Sequence, residues 1–154
     1  MCIYTFIYGS MAVEIPENMG SECLVLKSRR AARAVTRRYD KLLRPYGLQC
    51  TQVSLLFNVA SGHHRSVTEL ASQMAIERST LTRNLKLLQR RGYIETDSSG
   101  QGRPQQYILT ERGEALVREM IPHWREAQAQ LRNELGDEGW DAIQAALSTI
   151  GAVG

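Results

Sequence analysis

The sequence predicts a mainly α-helical fold with one small β-hairpin. Apolar residues recur at helical spacing through most of the chain, as faces that turn inward on amphipathic helices do. Two short runs rich in β-branched and aromatic residues, 93–96 and 106–109, flank a stretch of turn residues. At 154 residues the chain is long enough for one domain with its own core. Residues 1–20 read as a disordered or mis-assigned N-terminal extension, with Met11 as an alternative start.

The first long helix is expected over 22–44, ended by Pro45 and Gly47. Leu24, Ala31, Ala34, Val35, Leu42 and Leu43 form its apolar side. A second helix spans 51–60, with Thr51 as the expected cap and a stop near Gly62. Ser66 or Thr68 can cap a third, short helix, with Glu69 placed as capping-box partner of Ser66 and with Leu70 and Met74 inward. After a break at 75–78 comes the most informative stretch. Leu81, Leu85 and Leu88 recur at helical spacing, while Arg78, Ser79, Thr80, Thr82, Arg83 and Lys86 fall largely opposite them. From Arg78 to Arg91 there are five basic residues and no acid. Gly92 ends this helix, since glycine accepts positive φ. Tyr93–Thr96 and Gln106–Leu109 then form the hairpin, with Arg103 near its tip. Thr110 caps a helix of about 25 residues, with Leu116, Met120, Ile121, Trp124, Ala127, Leu131 and Leu135 on one side and Pro122 as an expected kink. Gly136 breaks it before a last helix carrying Trp140, Ile143, Leu147 and Ile150.

A short bracing helix followed by a basic one is helix-turn-helix grammar, in which the second helix enters the major groove. There Arg can read guanine, and hydroxyls can reach bases or phosphates. Residues Ser66, Thr68, Arg78, Ser79, Thr80, Thr82, Arg83 and Lys86 are the expected contacts to double-stranded DNA, with Arg103 of the hairpin wing aimed at a minor groove. The net charge of +3 hides an asymmetry: 27–44 hold eight basic residues against one acid, and 111–141 hold eight acids against four arginines. One basic surface suits nucleic acid. The organisation expected is 21–48 for dimerisation, 49–110 for a winged helix-turn-helix, and 111–154 for further dimerisation helices. Long amphipathic helices beside so small a module need a second copy to cover them, so the protein is expected to partner itself.

Other classes find little footing. There is no phosphate loop, no nucleophile with a spaced histidine and acid, and no paired carboxylates in an apolar setting, so no enzyme activity and no cofactor are expected. His63 and His64 lack a third ligand, and His123 is alone, so no metal site is expected. No stretch is long enough to span a membrane, and residues 1–10 lack a basic start and a cleavage site. The expected location is therefore the cytoplasm, with the cysteines as thiols. The alternative from another class is a winged-helix protein–protein interaction module, but such an interface favours apolar and aromatic residues where this chain has arginines.

The chain resembles the MarR (multiple antibiotic resistance regulator) family over about residues 22–150. The carriers are 33–40 (Arg-Ala-Val-Thr-Arg-Arg-Tyr-Asp) with Leu48–Leu56, then 78–85 (Arg-Ser-Thr-Leu-Thr-Arg-Asn-Leu) with 91–94 (Arg-Gly-Tyr-Ile), then 109–113 (Leu-Thr-Glu-Arg-Gly). The resemblance implies a winged helix-turn-helix of six helices, with the wing between the fourth and fifth, dimerising through the first and last two helices. It also implies repression relieved by a small phenolic or lipophilic effector, or by thiol oxidation. One departure is Gln101, where the family wing usually has an acid that orients the arginine; an amide lacks the charge assistance.

Two induction readings follow. A crevice between the first, second and fifth helices would be lined by Tyr39, Phe57, Met120 and Trp124, with Arg37 or Gln52 as polar handles; the same aromatics could equally be core. Alternatively, Cys23 opens the first helix and Cys50 precedes the second, where a helix N-terminus can favour thiolate. In the peroxide-sensing branch of the family the reactive position aligns with Val25, so Cys23 lies two residues early. Cys50 stands where one of the tyrosines around that cysteine would be, and Tyr39 matches another. The resemblance makes a disulfide between Cys23 of one subunit and Cys50 of the other the redox alternative, against both residues being small fillers.

Overall fold

The computed structural model describes residues 15–62, 66–97 and 106–152. A four-residue turn, α1 (Met19–Glu22), precedes α2 (Leu24–Leu43); α3 (Cys50–Ser61), α4 (Val67–Gln73) and α5 (Arg78–Arg90) follow, then strands β1 (Ile94–Asp97) and β2 (Gln106–Leu109), and α6 (Glu111–Ala152). The described residues fall into two units, one ending at Arg37 and the other starting at Arg38.

The first unit differs from expectation at its start. Cys23 has non-helical angles (φ −59°, ψ 109°), so the expected single helix is split into α1 and α2 there. Cys23 still opens α2, because its carbonyl accepts the Lys27 N–H. None of the apolar side chains on this part of α2 is buried: Leu24 is 61% and Val25 65% exposed.

The second unit holds the core. Leu55 and Leu56 of α3, Leu70 of α4, Leu81, Leu85 and Leu88 of α5, Ile94 of β1 and Met120 of α6 are buried in one cluster. The helical stripes read from the sequence supply it. The strands pair antiparallel in the register Ile94↔Leu109 to Asp97↔Gln106, which turns Ile94 inward.

Several helix ends carry the chemistry their sequences promise. Ser66 Oγ accepts the Glu69 N–H, so Ser66 rather than Thr68 caps α4. The α3 cap is a correction: it is Gln49, not Thr51. The Gln49 and Gln52 side chains bond reciprocally to each other's backbone in a capping box, moving the helix start two residues before Thr51 could cap it. Gly92 (φ 72°) ends α5 with the Tyr93 N–H on Leu88 O and the Gly92 N–H on Gln89 O, a Schellman pair.

Thr110 caps α6, its Oγ1 accepting the Gly113 N–H while donating to Gly92 O at 2.6 Å. The helix continues through Pro122, and the backbone leaves helical angles at Gly136 (φ 71°, ψ 164°). Beyond this break the apolar residues are mostly solvent-facing, with Leu147 58% and Ile150 50% exposed.

Candidate nucleic-acid interface

The turn between α4 and α5 is short and bent. Ala75 takes φ 50°, the left-handed region, and the Ile76 N–H returns to Ala71 O. That bend lets α4 pack on α5 through Leu70, Ala71, Leu81 and Leu85, all buried. With Leu88 these residues fix which face of α5 remains outside. Arg78, Ser79, Thr80, Arg83, Lys86 and Arg90 are exposed, and Arg83, Lys86, Gln89 and Arg90 line one open concavity. The helix itself contains four cations and no acid. Glu77 occupies the N-cap without a side-chain bond, so no side chain caps the first-turn N–H groups.

The expected DNA contacts do not all stand equally. Thr82 is half-buried, and its hydroxyl donates back to Arg78 O at 2.8 Å, which leaves it an acceptor. Ser66 spends its oxygen on the α4 cap, and Thr68 is exposed in the first turn of that helix. Arg103 and Gln101, and with them the wing tip, lie outside the described residues, as do His63 and His64. Arg91, the fifth cation of the basic stretch, is tied down: its guanidinium donates to Gly47 O at 2.7 Å and so fastens the end of α5 to the turn after α2.

Sequence reasoning missed two supports of this face. Gln52 is the one buried polar side chain among the described residues, and its Nε2 donates to Asn84 Oδ1 of α5 at 3.3 Å. Asp40 Oδ1 accepts the Cys50 N–H at 2.6 Å, joining the end of α2 to the start of α3. The signal was present in both cases, as an amide inside an apolar run and as an acid among eight cations.

Of the five residues expected around a ligand crevice, Tyr39 lines a described one, and the other four stand as follows. Met120 is 1% exposed and belongs to the core, Phe57 packs half-buried against that core, and Trp124 is 45% exposed. Gln52 faces α5, its Oε1 accepting the Gln49 N–H and its Nε2 donating to Asn84 Oδ1. A crevice of about 340 Å³ does lie beside Tyr39, lined also by Arg38, Leu42, Ala127, Leu131 and Glu134. Arg38 and Glu134 form an ion pair of 2.7 Å at this place. Burial, and then the neighbouring Cys50, hold the Tyr39 phenol above its ordinary range, so it is a neutral hydroxyl.

Cys23 and Cys50 are free thiols, each half-buried. Burial pushes the Cys50 thiol up, Ser54 opposes this with a hydrogen bond, and Asp40 adds to it. No group of three or more metal-binding side chains occurs among the described residues. No described helix is long and apolar enough to cross a membrane.

A buried-faced helix presenting cations, hydroxyls and amides but no acid, braced by a second helix and followed by an antiparallel hairpin, defines a winged-helix DNA-binding protein. Comparison with known proteins gives the family. The MarR family model matches residues 46–104. The chain is 33% identical to the transcriptional regulator MosR of M. tuberculosis, over 87% of this chain and 96% of that one, with a TM-score of 0.75. MosR has also been solved in complex with DNA, at 34% identity over 86% of this chain and 96% of that one, TM-score 0.73. The transcriptional repressor CouR, bound to a 23-mer DNA duplex, is 26% identical over 90% of this chain and 99% of its own, with a TM-score of 0.76. CouR has also been solved bound to p-coumaroyl-CoA, at 25% identity over 89% of this chain and 97% of that one, TM-score 0.72. YwoH, an uncharacterised HTH-type transcriptional regulator of Bacillus subtilis (strain 168), is 24% identical over 120 residues, 78% of this chain and 88% of that one. The protein belongs to the MarR family of DNA-binding transcriptional regulators.

Proposed function

We propose that this regulator is a homodimeric repressor that leaves a pseudo-palindromic operator when a small lipophilic or aromatic ligand binds. The observation that carries the reading is the outer face of α5, where Arg78, Ser79, Arg83 and Lys86 stand exposed over a fully buried leucine stripe. Arg83 is the residue placed to read a base, by the bidentate geometry guanidinium offers to guanine. Ser79, Thr80, Lys86 and, from α4, Thr68 serve phosphates and base edges, and Arg103 serves the minor groove.

Dimerisation is supported by the exposed apolar side chains of each unit separately: Leu24, Val25, Leu26 and Val35 in the first, and Ile143, Leu147 and Ile150 in the second. A soluble monomer rarely leaves such rows uncovered. Two recognition helices related by a twofold axis require half-sites about ten base pairs apart, one helical turn.

The ligand reading rests on the crevice beside Tyr39, whose volume falls within the range of small-molecule sites, about 300–1,000 Å³. That CouR binds a coenzyme A thioester of an aromatic acid supports the same chemical class. The redox alternative is weakened by the raised Cys50 thiol, since thiolate is the species oxidants attack.

Duplexes selected from a randomised pool test the repressor reading. An inverted repeat should emerge, and aromatic acids or their coenzyme A thioesters should release it. If cumene hydroperoxide releases the duplex and Cys23→Ser abolishes that release, the redox mechanism replaces the ligand one.

A further inference from the structure

Burying an amide away from water is costly unless its hydrogen bonds are remade. Gln52 is the one buried polar side chain among the described residues, and it sits in α3 between Val53, Leu55 and Leu56, where an apolar residue would pack more cheaply. Its geometry shows what the amide does. Oε1 accepts the Gln49 N–H at 3.0 Å, so Nε2 must point the other way, and it meets Asn84 Oδ1 at 3.3 Å. Asn84 is fixed in the matching sense, because its own Nδ2 donates to Thr80 O at 3.1 Å. The two amide orientations require each other.

Asn84 is half-buried in the middle of α5, next to exposed Arg83. The core leucines hold α5 against the module without direction, since dispersion contacts tolerate small rotations and slides. A hydrogen bond does not, weakening steeply with angle and distance. At the other end of the chain of contacts, the α3 N-terminus that Gln52 caps is bonded through its Cys50 N–H to Asp40 of α2. Asp40 is the neighbour in sequence of Tyr39, which borders the crevice.

We infer that Gln52 is a positioning residue for DNA recognition: its bond to Asn84 sets the rotation of α5 in the groove, and with Asp40 it joins the crevice end of α2 to the reading face. The consequence concerns specificity more than affinity. Non-specific binding depends on charge near phosphates and tolerates a small rotation of α5. Base reading by Arg83 depends on donor positions and does not.

The test uses the full-length protein and a duplex obtained by selection from a random pool. Dissociation constants are measured for that duplex and for a scrambled one in Gln52→Leu, Asn84→Ala and the double variant. Each single change should lower the ratio of selected to scrambled affinity about tenfold, roughly the discrimination a misplaced base contact loses. Affinity for the scrambled duplex should stay within about twofold, because no phosphate-binding charge is removed. The double variant should lose no more than the single ones, since both break the same bond.

Asn84→Asp separates this role from plain stability: it gives up the bond to Thr80 O but keeps an acceptor for Gln52 Nε2, so its ratio should exceed that of Asn84→Ala even as the added negative charge weakens both duplexes alike. An unchanged ratio in Gln52→Leu would overturn the inference, as would losses that multiply in the double variant. Should Gln52→Leu fold poorly, Asn84→Ala carries the test, since the helix propensity of alanine offsets part of the cost of leaving Gln52 Nε2 without its acceptor.

Discussion

Substituting Gly113 by alanine should unfold this protein's winged module at markedly lower temperature, even though alanine is the better helix former. An ideal Cβ at Gly113 would lie 1.9 Å from Tyr93 O and 2.9 Å from Tyr93 C. Carbon and oxygen approach to about 3.3 Å even in a favourable C–H···O contact. The start of α6 must therefore withdraw by roughly 1.4 Å, the difference between that limit and the present distance. The obstacle is backbone and cannot swing aside as a side chain could. Two bonds anchor the same place, Thr110 N–H to Tyr93 O at 3.1 Å and Thr110 Oγ1 to Gly92 O at 2.6 Å. Overpacking costs about 1–3 kcal/mol, and losing two hydrogen bonds adds about 2. The helix propensity of alanine returns about 1, leaving a net loss of about 2–4 kcal/mol. In a protein of this size that lowers the melting midpoint by about 5–15 °C. Thermal unfolding followed by circular dichroism measures it. Gly151→Ala in the same helix, where nothing lies within 4 Å, is the control and should be neutral or slightly stabilising. If Gly113→Ala melts within about 2 °C of the parent protein, the close approach of α6 to Tyr93 does not exist as described.

Ala75→Gly should stabilise the helix-turn-helix by up to about 1 kcal/mol, because Ala75 is held at φ 50° where a Cβ is penalised; a drop in midpoint would contradict that turn. Arg83→Ala should cost about 1–3 kcal/mol on a selected operator and relax its base preference, as read by fluorescence anisotropy; unchanged affinity and preference would remove Arg83 from base reading. Arg103→Ala should weaken all duplexes nearly alike and lower the salt slope by about one, while Gln101→Asp should tighten binding by giving that arginine a charged partner; no change in either variant would take the wing out of the mechanism. Cys50 should alkylate slowly near neutral pH and faster as pH rises, since burial favours the thiol over the reactive thiolate; mass spectrometry of iodoacetamide-treated protein showing rapid labelling at pH 7 would revive the redox reading.

The fold was legible where local chemistry and tertiary packing agree. Leu81, Leu85 and Leu88 announce α5 by spacing alone, and all three are buried. Ser66, Gly92 and Thr110 end or begin helices by mechanisms that need no distant partner. What escaped depends on distant partners. The α3 cap falls at Gln49 and not at Thr51, through the reciprocal Gln49–Gln52 pair, and Gln52 also reaches Asn84 of α5. Met120 and Trp124 share a stripe, yet one is in the core and the other is 45% exposed, since the stripe of α6 outruns the module it covers. Periodicity says which residues share a face; it does not say where the facing surface stops. The exposed cations of α5 were legible as a set, whereas the role of Arg91 was not, because Gly47 is reached only once the chain is folded; Thr82 differs, since its hydroxyl turns back to the Arg78 carbonyl one turn earlier in the same helix.

Induction then has to be argued from where the crevice meets the DNA-reading elements. A ligand releases DNA only by the difference in its affinity for the DNA-binding and the released arrangements. A coupling of about 1–3 kcal/mol suffices for a 5–150-fold loss of affinity. The crevice is bordered by residues 38–42 of α2 and 127–134 of α6, so a ligand placed there would act first on the spacing of those helices. Arg38 and Glu134 already join the two across 2.7 Å, though both are about half exposed and the pair alone holds them weakly. A shift of α2 relative to α6 cannot leave α3 untouched, because Asp40 holds the Cys50 N–H at the start of that helix. Nor can it leave α5 untouched while Gln52 spans the distance from α3 to Asn84. Gln52→Leu should therefore blunt ligand-induced release of a selected duplex as well as base discrimination, while ligand affinity in the absence of DNA stays unchanged. Release by the same ligand concentration in parent and variant would show that Gln52 carries no signal from the crevice to α5.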